Sequence, residues 1–212
     1  MDLLDSLEVR WFLPDKHPTL GVAQEWFALT KPEANRIDDY LITGRDDLGF
    51  KARVVENLPT MIETKYLVGS LGAVEFVPGV VGKLERWRKL SLELDDAKLK
   101  KDGTWLSVEK ERRLRKYAFN NGLASEVSAK TRPDAGCGIE LTKLVCRLDG
   151  SADAYVAWTL GLEAFGPDVA LLRVLEATCS ATHRDGFPLE VDGACSMGYA
   201  EWVRSTFNRS QP

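Results

Sequence analysis

Residues 48–54 read Leu48-Gly49-Phe50-Lys51-Ala52-Arg53-Val54, an alternation of apolar and cationic side chains. Successive side chains of an extended chain point to opposite faces, so the apolar residues share one face and the two cations share the other. Strict alternation of this kind predicts a β-strand with one buried face. The cations set this strand apart, because an ordinary solvated face carries mainly uncharged polar residues.

The same alternation recurs in short runs separated by Gly, Pro, Asn and Asp, which predicts antiparallel strands. Eight runs are predicted, at residues 7–13, 38–45, 48–56, 61–68, 87–94, 104–118, 138–148 and 154–165. Helices are predicted at residues 19–29, 79–86 and 168–180, and a long loop at residues 120–136. The last helix has Asp168 as its expected N-cap, with Val169, Leu172 and Leu175 on its buried face.

Ionisable side chains of both signs gather on the polar faces of these runs. Residues 109–116 read Glu109-Lys110-Glu111-Arg112-Arg113-Leu114-Arg115-Lys116, with charges on both faces of the predicted strand. Residues 83–116 hold 12 Lys and Arg against 7 Asp and Glu, whereas residues 133–202 hold 4 against 11. The positive charge is therefore concentrated on particular strands.

Composition excludes several classes of protein. The 212 residues contain no apolar run near the roughly 18 that a membrane-spanning helix needs. The N-terminus has no basic segment leading into an apolar one, so we expect a cytoplasmic protein without membrane contact. Four cysteines without a C-x-x-C pair, and two distant histidines, argue against a zinc site. A net charge of −4 argues against a general nucleic-acid binder, and the local basic stretch suits a small anionic ligand.

Two geometries explain charged strand faces. In an open antiparallel sheet, the apolar face packs on helices and the charged face lies in water, as in a protein-interaction module. In a closed barrel, the charged faces surround a lumen, where isolated charges are costly and need partners. Such a lumen would be a preorganised receptor for a polyanion. The alternation alone leaves both geometries open.

The order of the charged runs resembles that of the triphosphate tunnel metalloenzymes, or CYTH-like phosphatases. The matching segments, in chain order, are Glu8-Val9-Arg10-Trp11-Phe12, Asp39-Tyr40-Leu41-Ile42-Thr43, Leu48-Gly49-Phe50-Lys51-Ala52-Arg53, Ile62-Glu63-Thr64-Lys65, Lys110-Glu111-Arg112, Leu160-Gly161-Leu162-Glu163 and Ser196-Met197-Gly198-Tyr199-Ala200-Glu201-Trp202. The resemblance implies an α+β fold: an eight-stranded antiparallel closed β-barrel, or tunnel, with flanking helices. It also implies that residues 1–212 form a single tunnel domain.

The resemblance further implies roles for the charged residues. A triphosphate or other polyanionic phosphorylated ligand would be bound by seven cations: Arg10, Lys51, Arg53, Lys65, Lys89, Lys110 and Arg112. Glu8, Glu140 and Glu163 would hold Mg²⁺ or Mn²⁺, which prefer carboxylate oxygens. With Glu8 and Glu163 as the catalytic carboxylates, a metal-dependent triphosphatase would hydrolyse the terminal phosphate.

The chain departs from the family pattern where the metal would bind. Arg10 stands where the first strand of the family has its second Glu, Phe12 stands in place of a Lys, and Phe165 in place of a late acid. A guanidinium cannot deprotonate and repels a metal ion. Three functions therefore stay open: a triphosphatase with a degenerate metal site, a non-catalytic phosphate-ligand binding protein, and an open-sheet interaction module.

Overall fold

Nine antiparallel strands and three α-helices make up the part of the chain that the computed structural model describes, residues 2–53, 60–94, 103–187, 191 and 193–207. The strands are β1 (Asp2–Pro14), β2 (Arg36–Leu41), β3 (Leu48–Arg53), β4 (Thr60–Val77), β5 (Val80–Leu94), β6 (Trp105–Asn120), β7 (Leu123–Val127), β8 (Gly136–Leu148) and β9 (Tyr155–Phe165). The helices are α1 (Thr19–Trp26), α2 (Leu171–Arg184) and α3 (Tyr199–Phe207).

Eight of the strands close into a barrel in the order β2-β3-β4-β5-β1-β9-β8-β6, because β6 pairs back with β2. The closing register runs from Arg36 opposite Lys110 to Leu41 opposite Trp105. β7 is an extra strand that pairs with the far end of β6. The predicted eight-stranded closed barrel with flanking helices is confirmed, and the open-sheet alternative is wrong.

The outward faces of the strands form the main core. On β1, the odd-numbered apolar residues from Leu7 to Leu13 point outward, and Trp11 is fully buried. α1 covers this face with Leu20, and α2 covers it with Val174 and Leu175. Removal of this apolar surface from water is the main stabilisation of the helices against the barrel.

The inside of the barrel is apolar at one end. There the aromatic ring of Phe12 on β1 stacks on Trp202 of α3, with ring centroids 4.4 Å apart. Leu106, Val108 and Leu144 join this cluster from the inward faces of β6 and β8. Helix α3 thus closes one end of the barrel, and the polar lumen occupies the rest.

Other charges of β6 hold neighbouring segments rather than lining the cavity. On the outward face, Arg113 donates to the carbonyl oxygen of Thr30 at 2.8 Å, just beyond α1. Lys116 shares the face of Lys110 and Arg112 but does not line the cavity, and it donates to the carbonyl oxygens of Ala129 at 2.7 Å and Thr131 at 2.9 Å. These contacts explain why both faces of residues 109–116 are charged.

The helix predicted at residues 79–86 is wrong, since these residues begin strand β5. Pro78-Gly79 forms the turn between β4 and β5, and Gly79 has a φ of 80°, which glycine adopts without steric cost. Val80 and Leu84 then pack outward into the core, whereas Lys83 lies on the opposite face. The fourth run likewise extends past residue 68, to Val77.

The long loop predicted at residues 120–136 is also wrong in part, because it contains β7. Asn121 and Gly122 both have positive φ, 50° and 82°, and together they connect β6 to β7. An Asn-Gly pair with these angles is typical of a tight type I′ hairpin turn.

The last two helices differ from expectation. Asp168 does not cap α2: it begins a 3-10 turn, and its carboxylate pairs with Arg86 at 2.6 Å. Val169 is 93% exposed and Leu172 46%, whereas Leu175 is buried as predicted and shares the buried face with Leu171 and Val174. Helix α3 was not predicted, and residues 54–56 of the third predicted run lie outside the described residues.

Among the described helices, none is both long enough and apolar enough to cross a membrane.

Candidate functional site

Side chains from all eight barrel strands and from α3 line a cavity of about 250 Å³ in the polar part of the lumen. Every residue that the sequence predicted as a phosphate or metal ligand lies on its wall: Glu8, Arg10, Lys51, Arg53, Lys65, Lys89, Lys110, Arg112, Glu140 and Glu163. The wall also contains residues that the sequence analysis did not assign: Arg36, Tyr40, Phe50, Glu63, Glu85, Trp87 and Tyr199. The barrel therefore brings the whole predicted set to one cavity.

The cavity wall carries more positive than negative groups. Eight of its side chains are Lys or Arg and five are Glu. Asp38 adds one further carboxylate beside the wall, where it is fully buried. The cavity surface is therefore net positive, although the chain as a whole has a net charge of −4.

Asp38 is the common partner of four cavity cations, because Arg36 also lies 3.6 Å from its carboxylate. Its carboxylate accepts from Nε of Arg53 at 2.8 Å and lies 3.0 Å from Nζ of Lys110 and 3.4 Å from Nζ of Lys51. Burial alone would raise the pKa of Asp38, but these cations outweigh it and hold that pKa far below its usual range. Asp38 thus keeps its negative charge and fixes the cations in place.

Lys51 and Lys110 lie in the lumen, and the pKa of each is lowered. Burial lowers the pKa of each ammonium to about 8, and the attraction of Asp38 offsets only part of this effect. Lys110 is 4% exposed and donates to the hydroxyl of Tyr40 at 2.6 Å. Lys51 contacts Glu63 at 2.5 Å. Both lysines therefore lose charge just above neutral pH.

Arg10 reaches from β1 across β9 to Glu140 on β8. Its Nη1 lies 2.6 Å from the Glu140 carboxylate and donates to Oγ1 of Thr159 at 3.1 Å. Gly161 stands between them on β9, and a Cβ there would lie 2.8 Å from Cζ of Arg10. The absence of a side chain at Gly161 leaves the room in which the guanidinium lies.

The Arg10–Glu140 ion pair belongs to a longer chain of ion pairs. Arg112 contacts the second oxygen of Glu140 at 3.1 Å and also Glu33 at 2.5 Å. Although burial opposes the charged form of both groups, the pair raises the pKa of Arg10 and lowers that of Glu140. Both groups are therefore charged at every ordinary pH.

Two tyrosines form an aromatic wall beside these cations. The ring of Tyr199, at the start of α3, stacks on Tyr40 with centroids 5.6 Å apart. Nζ of Lys110 lies 4.5 Å from the centroid of the Tyr199 ring, and Cζ of Arg10 lies 4.9 Å from it. Both distances are within the range of cation–π attraction, so Tyr199 holds the two cations between the apolar end and the cavity.

Three carboxylates form a row on neighbouring strands. Glu8 lies opposite Glu85 on β5 and opposite Glu163 on β9, and all three line the cavity. Glu8 accepts hydrogen bonds from Lys65 and from the hydroxyl of Ser6. Burial would raise the pKa of Glu8, but Lys65 and Arg10 outweigh it and lower that pKa.

The predicted metal ligands do not fit a bound divalent cation in this arrangement. Glu8 is held by Lys65, and Glu140 is held between Arg10 and Arg112. Within the described residues, no group of three or more His, Cys, Asp and Glu side chains is placed to hold a metal ion. Mg²⁺ needs free carboxylate oxygens in a near-octahedral set, so we derive no step through a metal.

The residues that the sequence analysis missed follow the same alternation as those that it found. Arg36, Asp38 and Tyr40 occupy every second position of β2 and share its inward face. The predicted run starts at residue 38, so it leaves out Arg36, and the segment that carries the family resemblance, residues 39–43, leaves out Asp38. Alternation read two residues earlier would have identified both Arg36 and Asp38.

The fold and the site together define a closed antiparallel β-barrel with a net positive, ion-paired lumen. Compared with known proteins, the chain matches no family model and no curated protein sequence. The family resemblance therefore stays a prediction that rests on the order of the charged segments.

Proposed function

We propose that the protein binds a small phosphorylated polyanion, such as tripolyphosphate, in the lumen of the barrel. The observation that carries this proposal is the set of eight cations around one cavity of about 250 Å³. Charge-assisted hydrogen bonds from Arg and Lys to phosphate oxygens are short and strong, and Arg can bind two oxygens at once. Because the cations are already held in place, little ordering is needed when the ligand binds.

The placement of Lys65 and Lys89 supports an anionic ligand. These two lysines lie directly opposite each other on β4 and β5, and both line the cavity. Like charges in this position repel and destabilise the strand pair. Glu8 is within ion-pair distance of Lys65, whereas Lys89 lies within that distance of no carboxylate of the described residues and only attracts Glu63 from farther away. A phosphate oxygen between the two ammonium groups would remove the repulsion.

Hydrolysis of the ligand is not part of the proposal, because two of the three carboxylates that would hold a metal, Glu8 and Glu140, are paired with cations. Hydrolysis can nevertheless be tested directly with the same purified protein. Phosphate release from tripolyphosphate in the presence of Mg²⁺ or Mn²⁺, lost in Glu8→Ala and Glu163→Ala, would extend the function from binding to metal-dependent hydrolysis.

We expect Lys89→Ala to weaken the binding of tripolyphosphate by about tenfold or more, the value of one charge-assisted hydrogen bond. The fold should keep its stability, because Lys89 has no ion pair to lose within the described residues. Isothermal titration calorimetry measures the affinity, and thermal unfolding measures the stability.

Lys143→Ala is the matched control for this variant. Lys143 is on the outward face of β8, where its Nζ lies 5.9 Å from the ring of Trp158. This variant should bind tripolyphosphate like the unaltered protein. If Lys89→Ala also binds like the unaltered protein, or if the unaltered protein binds no tripolyphosphate, the proposed lumen site is wrong.

Binding should also weaken as the pH rises from about 7 to about 9. Lys51 and Lys110 have pKa values lowered to about 8 by burial, so each ammonium loses its proton within this range. The phosphate oxygens bind the charged forms, and we expect affinity to fall about tenfold or more across the range. Titrations at constant ionic strength measure this, and an affinity that is flat or rises with pH would contradict it.

A further inference from the structure

We infer that the lumen takes its phosphorylated ligand as a metal-free anion, because the guanidinium of Arg10 fills the place between carboxylates that a divalent cation would need. This inference rests on the proposed function and adds to it the form in which the ligand binds.

The register places Arg10 within a group of carboxylates. On β8, β9 and β1, Glu140, Gly161 and Arg10 are successive partners across the sheet, so their inward positions form one row. The next row along β9 and β1 contains Glu163 opposite Glu8. Arg10 therefore lies in the row next to Glu8 and Glu163, and its guanidinium reaches Glu140 across β9.

Gly161 makes this position available to a guanidinium. Any side chain at Gly161 would meet Arg10, because a Cβ would lie 2.9 Å from each of Nη1 and Nη2. The guanidinium therefore crosses the strand directly above its backbone, and Nη1 reaches Glu140 at 2.6 Å. A bound metal at the same carboxylate would have to displace this contact.

Two of the three predicted metal ligands are also engaged by other cations. The second oxygen of Glu140 contacts Arg112 at 3.1 Å, and Glu8 binds the ammonium of Lys65. Arg10 is 7% exposed, and a guanidinium keeps its charge at all ordinary pH values. A divalent cation entering this group would meet a fixed positive charge and would have to break existing ion pairs.

The consequence for binding has a definite sign. When Mg²⁺ coordinates tripolyphosphate in solution, it reduces the negative charge that the lumen cations recognise. We therefore expect the protein to bind tripolyphosphate in the presence of EDTA, and to bind it about tenfold more weakly when Mg²⁺ exceeds the ligand, by mass action. A site that uses a metal would behave in the opposite way.

Two calorimetric titrations of the unaltered protein test this directly, one with EDTA and one with excess Mg²⁺. Binding in EDTA that weakens with Mg²⁺ supports the inference. Binding that appears or tightens only with Mg²⁺ overturns the inference and leaves the proposed function standing. No binding under either condition overturns the proposed function itself, so the two failures are distinguishable.

Direct titration with Mn²⁺ provides an independent measurement. We expect the unaltered protein to take up no Mn²⁺, and Arg10→Glu to gain binding, because it removes the fixed cation and adds a carboxylate beside Glu8 and Glu163. Arg10→Gln, which removes the charge without adding a ligand, should bind Mn²⁺ at least tenfold more weakly than Arg10→Glu, since a hard cation prefers carboxylate oxygens.

Mn²⁺ uptake by the unaltered protein, or a folded Arg10→Glu variant that gains none, would show that Arg10 does not occupy a metal's place. Thermal unfolding checks that both variants fold. If Arg10→Glu does not fold, the titrations of the unaltered protein with EDTA, Mg²⁺ and Mn²⁺ decide the inference alone.

Discussion

Asp38→Asn is expected to lower the free energy of unfolding by about 3–5 kcal/mol, the range measured when one partner of a buried ion pair is removed. Asp38 is fully buried and compensates four cations: Arg36, Lys51, Arg53 and Lys110. Without its charge, these four cations remain close together in the lumen with too few partners. Urea unfolding, followed by the fluorescence of the buried tryptophans, measures the change.

Asp47→Asn is the matched control for this prediction. Asp47 accepts two hydrogen bonds of 2.7 Å from Arg45, but the pair lies at the surface, with side chains 48% and 62% exposed. Surface ion pairs contribute about 0–1 kcal/mol, so the control should change stability little. Equal effects of the two substitutions would show that Asp38 is not the counter-ion of the lumen.

A double variant separates the role of the charge from that of the side chain's shape. Lys110→Met removes one of the cations that Asp38 compensates, and Lys110 is itself 4% exposed. The loss of stability in Asp38→Asn/Lys110→Met should be smaller than the sum of the two single losses, with a coupling of about 0.5–3 kcal/mol. Additive losses would contradict the ion pair.

Trp202→Ala is expected to cost about 3–5 kcal/mol, as for other large aromatic side chains removed from a core. Trp202 is 4% exposed, stacks on Phe12 and contacts Tyr199 and Phe207 edge to face. It is the residue through which α3 fills the apolar end of the barrel. Calorimetric unfolding should show a lower transition temperature.

Arg204→Ala is the control on the same helix. Arg204 lies on the outer face of α3 and pairs with Asp46, with both side chains more than 40% exposed. Its removal should change the transition temperature little, because exposed ion pairs contribute little to stability. A loss in Trp202→Ala no larger than this would show that α3 does not close the barrel.

The strands of the barrel could be predicted because each carries its own signal. Alternation in residues 48–53 determines which side chains share a face. The face that carries the cations points inward in the barrel, with Lys51 and Arg53 on the cavity wall. The failures lie where short signals compete. Val80 to Leu84 was assigned to a helix, although Pro78-Gly79 makes the hairpin turn that continues the strand.

Helix α3 shows a different limit of the sequence. Residues 199–207 have the spacing of an amphipathic helix, with Tyr199, Trp202 and Val203 on one face, but what that face packs against depends on Phe12, which lies far away in the chain. Isolated helices of this length are marginal in water and gain most of their stability from packing. No local pattern could therefore have located the end of the barrel that α3 closes.

By itself, the amino-acid sequence determined that cations and carboxylates alternate with apolar residues, because side-chain direction in a strand follows from position along the chain. Only the tertiary structure decided that these faces meet in one lumen, since closure depends on the pairing of β2 with β6, where Tyr40 and Lys110 meet from positions 70 residues apart. The tertiary structure also decided which carboxylates form ion pairs with cations. Such pairs depend on distances between strands, as for Arg10 on β1 and Glu140 on β8, which lie 2.6 Å apart.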